Sequence, residues 1–326
     1  MPSTKIKLLE LLRIFEELTD EEHRLNAAEL TALINRRGLK VERKAIYRDI
    51  AALNQSGADI VKSGTGYYLA SRKFEDAEIK LLLDAVQAAS FITERKTEKL
   101  SQKLLGLTSR YRAASMINAS KIGGIKCENE EIYYVIDAVN RAIAASRQVS
   151  FQYFKTDPDH NDVVQRQGGR YVVSPYAMVW MQDRYYLVCN MPSREDLTHF
   201  RLDRMKSVTV ERTPSRHFSE VSEYIRTFDV SHYAKKCLNM YGGTVQRLTL
   251  RCENEIASEI FDRFGQDTVT KRDGEDHFLA YVQAAVSTGL FAFFSQFGTQ
   301  IEVVSPLNVR ESVKQRLKDA LSLYEA

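Results

Sequence analysis

The order of local signals near the N-terminus constrains this chain more than any other feature. Ile6, Leu9, Ile14 and Leu18 recur close to helical spacing and predict a helix over 5–18. Asn26, with Glu29 three residues on, has the form of a capping box and opens a second helix with the apolar stripe Leu30, Leu33 and Ile34. Gly38 stands where a helix-terminating glycine belongs. A third helix is predicted over 42–53, with Ile46, Ile50 and Leu53 facing inward. Two short β-rich runs, 59–62 and 67–69, then flank Ser63-Gly64-Thr65-Gly66 and predict a hairpin.

Three helices followed by a hairpin is the order of a winged helix-turn-helix, assigned here to 1–72. The third helix carries Arg43, Lys44, Tyr47 and Arg48 in or near its first turns, opposed locally by Glu42 and Asp49. The start of such a helix enters the major groove of double-stranded DNA, where arginine and lysine reach guanine edges or phosphates. Tyr47 offers a hydroxyl to phosphate, and Lys62 near the hairpin tip offers a backbone contact. A charge run alone is as often a solvated face. The helix–helix–basic helix–hairpin order decides for a DNA operator as partner. Tyr67 and Tyr68 read as hairpin core rather than base contacts.

From 73 to 146 the pattern is helical and reads as a linker, with Leu81, Leu82, Ala85, Ala88 and Ala89 as its apolar band and a last helix over 130–146. The texture changes at Gln148, where Val149, Phe151 and Tyr153 alternate as in a half-buried strand. Strand-like runs follow at 170–174, 177–181, 185–189, 197–202 and 207–211, so 147–218 predicts a small barrel. The remainder, 219–326, reads as a connector followed by strand 245–252, helix 254–264, strand 278–286, helix 288–297, strand 300–304 and helix 309–324, a small α+β domain. The expected fold class is therefore multidomain α+β.

Composition narrows the function. With 326 residues the chain is too long for one ordinary core. A hydrophobic share of 44% and a net charge of +3 describe an ordinary, mildly basic globular protein, so charge placement matters more than total charge. The N-terminal stretch is interrupted by Glu10, Arg13, Glu16 and Glu17, and the longest apolar run, at 290–294, is far too short for a membrane span. A cytoplasmic protein without membrane contact is expected. Cys127, Cys189, Cys237 and Cys252 have no metal or redox spacing, and the six histidines are scattered, so no metal or cofactor is expected. The run 157–162 imitates a calcium loop but has Asp162 where glycine belongs and Gly168 where the last acid belongs, and reads as a hairpin turn. No nucleophile–base motif is present, which argues against an enzyme.

Three groups of residues carry a family resemblance. Arg43-Lys44-Ala45-Ile46-Tyr47-Arg48-Asp49-Ile50, with the 63–69 hairpin, resembles the winged helix of WYL-domain regulators. Glu42 stands where those usually carry Ser or Thr, which predicts a weaker N-cap. Ser174-Pro175-Tyr176-Ala177, Trp180, Asp183-Arg184-Tyr185-Tyr186-Leu187-Val188 and Phe200-Arg201-Leu202-Asp203-Arg204-Met205 resemble the WYL domain itself, with Tyr185 replacing the Trp of the naming triplet. Phe293-Phe294-Ser295-Gln296-Phe297-Gly298, Ile301-Glu302-Val303 and Pro306 resemble the family's C-terminal extension. The resemblance implies an Sm/SH3-like barrel that senses a nucleotide or oligonucleotide effector, a homodimer, and a transcriptional repressor of phage-defence or stress genes.

The residues themselves nominate a sensor site. Arg184, Arg201 and Arg204 supply forks for phosphate, and Tyr153, Tyr176 and Tyr186 supply stacking faces. His199 lies beside Phe200-Arg201. The alternative for these side chains is structural, with the tyrosines filling the core and Asp203 paired to Arg184 or Arg204. Strand alternation puts Phe200, Leu202 and Arg204 on one face and Arg201 and Asp203 on the other. A different class of function, a nucleic-acid-processing effector that docks through the winged helix, would need a carboxylate cluster, metal site or nucleotide loop.

Overall fold

A computed structural model of the protein describes residues 4–119 and 125–325. The chain is multidomain α+β and folds as two compact units, Met1–Glu128 and Asn129–Ala326.

The first unit opens with α1 (Thr4–Leu18), α2 (Ala27–Arg36), α3 (Arg43–Gln55) and the hairpin β1 (Ile60–Ser63) and β2 (Gly66–Leu69). Asn26 caps α2 by accepting from the Ala28 and Glu29 amides, and the Glu29 carboxylate accepts from the Asn26 amide at 2.7 Å. At the other end Gly38 takes φ +80°, its amide reaches the Asn35 carbonyl, and the Leu39 amide reaches that of Ile34. These are the paired bonds of a Schellman ending. Leu11, Ile14, Phe15, Leu30, Ile34, Ile46, Ile50 and Leu53 close a core that Ile60 and Leu69 seal from the hairpin side. Leu25 bonds both ways to Tyr67, forming a single antiparallel bridge beside the hairpin. Gly66 permits this approach, since a Cβ there would stand 2.8 Å from the Arg24 Cβ.

The stretch expected as one helical run is three helices, α4 (Asp76–Ala88), α5 (Glu94–Leu105) and α6 (Arg110–Ala119). Ile79 and Leu83 form the buried face of α4, whereas Leu81 is 71% exposed. A polar clamp ties this arm to the three-helix body. Arg72 donates to the Glu16 and Thr19 carbonyls at the end of α1, at 2.8 and 2.7 Å. Asp20, 3% exposed, accepts from the Ser109 hydroxyl at 2.6 Å, from the Glu22 and His23 amides, and from the His23 ring, which stacks on Tyr111. Arg112 of α6 bridges Asp76 and Glu21.

In the second unit α7 (Ile132–Ala144) lays Ile132, Val135, Ala138, Val139 and Ala142 on a curled antiparallel sheet. The sheet comprises β3 (Arg147–Thr156), β4 (Asp162–Val164), β5 (Tyr171–Met181), β6 (Arg184–Asn190), β7 (Leu197–Arg201) and β8 (Met205–Pro214), in the order β4-β3-β5-β6-β7, with β8 also on β3. The runs at 170–174 and 177–181 are thus one strand with an irregular register at Pro175. Val149, Phe151, Val173, Leu187, Leu202 and Met205 are buried inside the curl. The 157–162 stretch is the β3–β4 turn, in which Asp157 accepts from the Asp159 and Asn161 amides. After α8 (Val230–Lys236), a second sheet of β9 (Val245–Glu253), β10 (Val269–Asp273), β11 (His277–Ala285) and β12 (Ile301–Ser305) runs in the order β10-β11-β9-β12. It is packed by α9 (Ala257–Phe264), α10 (Thr288–Phe297) and α11 (Leu307–Ser322). No helix among the described residues is long and apolar enough to cross a membrane.

Candidate functional site

The helical period of α3 settles which of its residues are available. With Ile46, Ile50 and Leu53 buried, Arg43, Lys44, Tyr47 and Arg48 are exposed on the outer side. Tyr47 packs edge-on against Tyr67, which anchors its ring to the hairpin. Lys62 is exposed on β1. Among the described residues Arg43, Lys44, Arg48 and Lys62 make no ion pair within 4 Å, although Arg48 acts on the half-buried carboxyl of Asp49. Burial outweighs that cation and holds the Asp49 pKa above its ordinary value. Glu42 precedes the helix in extended conformation without any side-chain cap bond, as its departure from Ser or Thr predicts. The surface is therefore a set of unmatched cations beside a helix N-terminus, suited to phosphate and base edges.

On the curled sheet the structure sorts the expected sensor residues into groups that face differently. Arg201 pairs in register with Tyr186, and His199 with Val188, so these side chains share one face. There Arg201 grips Asp203 with both prongs, Nε at 3.0 Å and Nη2 at 2.6 Å, and Arg184 stands 3.7 Å from the same carboxylate. The Arg201 side chain is 21% exposed and Asp203 only 5%. Asp203 thus pairs with Arg201 and Arg184, not with Arg204. The expected alternation through Arg204 ends at Arg201, because Leu202–Arg204 is a 3-10 turn. That turn is held from the segment just before α7, where the Asn129 side-chain amide donates to the Asp203 and Met205 carbonyls.

Tyr153 belongs inside the curl, ringed by Phe151, Tyr171 and Phe200, and its hydroxyl accepts from the Arg201 amide at 3.2 Å. Burial raises the Tyr153 hydroxyl pKa, and the charges of Arg204 and Arg201 pull against it. Tyr176 is not brought to this cluster. It packs on Phe218 and Phe228 and donates to the Arg216 carbonyl at 2.9 Å, and burial pushes its pKa up to about 12. His199 is likewise committed elsewhere, 2.8 Å from the Tyr233 hydroxyl. Sequence reasoning passed over Arg166 and Tyr171. The only advance signal was the Gly168-Gly169 pair after Arg166, which marks an unusual turn.

Among the described residues no group of three or more His, Cys, Asp or Glu is placed to hold a metal ion. None of the four cysteines forms a disulfide, and three of them are buried.

Comparison with known proteins places these parts. The WYL domain profile matches residues 134–210, and the WCX domain profile matches 244–321. The chain is 24% identical, over 97% of its own length and 99% of the relative's, to an uncharacterized HTH-type transcriptional regulator, YobV, of Bacillus subtilis (strain 168). The solved structure of proteasome accessory factor B/C (PafBC) of Arthrobacter aurescens is 19% identical, with a TM-score of 0.30, over 99% of this chain and 49% of its own, so this chain spans about half its length. A CRISPR Cas-related protein is 15% identical, with a TM-score of 0.38, over 78% and 75%. At these TM-scores neither likeness informs the fold. A WYL domain followed by a WCX domain, together with a full-length relative named as a regulator, supports a WYL-domain transcriptional regulator.

Proposed function

We propose that the protein is a ligand-responsive transcriptional repressor that binds operator DNA as a homodimer through an N-terminal winged helix-turn-helix, 1–72. The observation that carries this is the unmatched cation set Arg43, Lys44 and Arg48 on the outer side of α3, with Lys62 on the hairpin. In this reading α3 lies in the major groove and the hairpin is the wing. The 73–146 stretch is the helical linker, 147–218 the Sm/SH3-like sensing barrel and 219–326 the C-terminal extension. α7, at the end of that linker, packs on β3, β5 and β8. One such head reads a half-site, and a two-fold dimer reads a palindrome with half-sites about 34–36 Å apart. A nucleotide or nucleic-acid fragment is the effector, and phage-defence or stress genes are the targets.

The test is binding to duplexes selected from a random library, followed by titration of salt. Arg43→Ala and Arg48→Ala should each weaken binding. A base-reading arginine costs about 1–3 kcal/mol and relaxes one position, whereas a phosphate contact weakens all sequences alike and flattens the salt dependence. Unchanged affinity in both variants would reject α3 as the reading element. A monomer by light scattering at micromolar concentration, with and without DNA, would reject the dimer. Cleavage or conversion of labelled DNA in Mg²⁺ would point instead to a processing effector.

Arg201→Ala addresses the sensor. Its loss takes a bidentate partner from the buried Asp203, leaving Arg184 at 3.7 Å. A hydrogen bond to a charged group contributes about 1.5–3 kcal/mol. The variant should bind operator like wild type without effector and fail to respond to added oligonucleotides. A lowered melting temperature with the response intact would make Arg201 a structural partner of Asp203 only.

A further inference from the structure

The turn between β4 and β5 has a backbone that its own hydrogen bonds do not explain. Arg166 (φ 55°, ψ 36°) and Gln167 (φ 52°, ψ 36°) are both left-handed, and Gly168 follows at φ +88°. Left-handed backbone is disfavoured for residues with a Cβ, and such residues cluster where a side chain must be aimed. Among the described residues the turn is held by the Gly169 amide on the Arg166 carbonyl, by the Gln165 side-chain amide on the Val163 carbonyl, and by a long contact from Gln152 to the Gly168 carbonyl.

What this backbone achieves is the position of the Arg166 guanidinium, whose Cζ stands 4.1 Å over the Tyr171 ring. Tyr171 lies parallel to the buried Phe151, 5.7 Å away at 10°, and edge-on to Tyr153 and Phe200. Arg166 is thus the outermost layer of an ordered aromatic stack that reaches from inside the curl to the surface. It is exposed and, among the described residues, its guanidinium has no hydrogen bond or ion pair. A planar cation fixed on a ring presents a second flat face for stacking and an N–H rim for phosphate. The Arg204 charge acts on Tyr153 in the same ring cluster, adding positive potential.

We propose that Arg166, stacked on Tyr171, is a binding platform for the base of a single-stranded nucleotide segment at the mouth of the curled sheet, apart from the Arg201–Asp203 face. The proposal rests on the reading of this sheet as a nucleotide sensor. It assigns the stacking role to residues that the expected site lacked.

The probe is a ten-nucleotide single-stranded DNA carrying 2-aminopurine, whose fluorescence falls when the base stacks, with inorganic polyphosphate as a base-free anion of similar charge. Full-length wild type should bind the DNA with quenching. Arg166→Ala should weaken binding about tenfold, as loss of one base stack does, and abolish the quenching. Arg166→Lys keeps the charge and removes the plane, so it should lose quenching as Ala does while binding polyphosphate like wild type. Gln167→Gly relieves the backbone and keeps Arg166, so it should bind like wild type. Lys binding and quenching like wild type would overturn stacking. Ala binding like wild type while Arg201→Ala fails to bind would overturn this platform and leave the sensor reading standing. No DNA binding by wild type would overturn both. Melting temperatures identify any variant that fails to fold, and Arg166→Lys, which retains the stem and charge over Tyr171, then decides.

Discussion

Replacing Asp20 by Ala is expected to destabilise the first unit by about 3–5 kcal/mol, the range found when one member of a buried charged network is removed. Asp20 gathers the Ser109 hydroxyl, the Glu22 and His23 amides and the His23 ring around one carboxylate, with Arg112 at 4.0 Å. Ser109 is fully buried, so truncation leaves its hydroxyl without an acceptor as well as emptying the site. Urea unfolding of the variant measures the loss. Asp20→Asn retains one acceptor oxygen and should lose less. A loss below about 1 kcal/mol for Asp20→Ala would mean that the clamp is only decorative. Burial opposes ionisation of Asp20, but the hydrogen bonds from Ser109 and His23 outweigh it and hold the pKa below the ordinary carboxylate value. The unfolded chain therefore takes up the proton first as pH falls. The clamp's contribution is complete above the ordinary carboxylate range and disappears only as pH drops through the lowered folded value.

The second large effect is a pH dependence centred on His199. Burial pushes its pKa down to about 4, against the Met240 backbone and Asp196, which favour the protonated ring. An unfolded histidine titrates near 6.5, so below that pH the unfolded chain binds a proton that the folded chain refuses. The neutral ring's contribution is complete above about pH 6.5 and declines toward pH 4, by about 3 kcal/mol in all. Melting temperatures of wild type and His199→Gln between pH 7.5 and 5 isolate this from the carboxylates. Wild type should lose more over that interval, and equal slopes would show that His199 is not held neutral. Tyr233, 2.8 Å from the ring, is the neighbour that protonation would disturb.

The parts of this fold that the sequence announces are those governed by local chemistry. Asn26, Glu29 and Gly38 define α2 because each satisfies backbone groups within a few residues of itself. The outward set on α3 follows from its helical period once Ile46 and Ile50 are assigned to the core. β10, Val269–Asp273, escaped notice because an exposed edge strand carries no apolar alternation. The breaks within 76–119 fall at short stretches, 89–93 and 106–109, whose last residues, Thr93 and Ser109, cap the next helices by accepting from the Lys96 and Arg112 amides. The candidate sheet site was legible as residue types but not as an arrangement. Alternation stops at Leu202, where the chain turns, and Arg166 meets Tyr171, five residues on, only through a left-handed turn. Tyr176 and His199 have the right chemistry and are spent on Arg216 and Tyr233.

The clamp around Asp20 has a mechanical consequence. Arg72 is fastened to the end of α1 and Arg112 of α6 to Glu21 and Asp76, so the passage from β2 to α4 is splinted on both sides. Residues 70–75 therefore cannot serve as a free swivel. Within Met1–Glu128 any tilt imposed on α4–α6 is carried to α3 as by a stiff lever, with little lost to bending. In the proposed dimer, which would hold two reading heads at a fixed phase on a duplex, compliance would have to reside farther along the chain, and a few degrees at the arm would become a displacement across the groove. Loosening the splint with Arg112→Ala would turn a ruler into a hinge, tolerant of spacer lengths that the intact protein rejects.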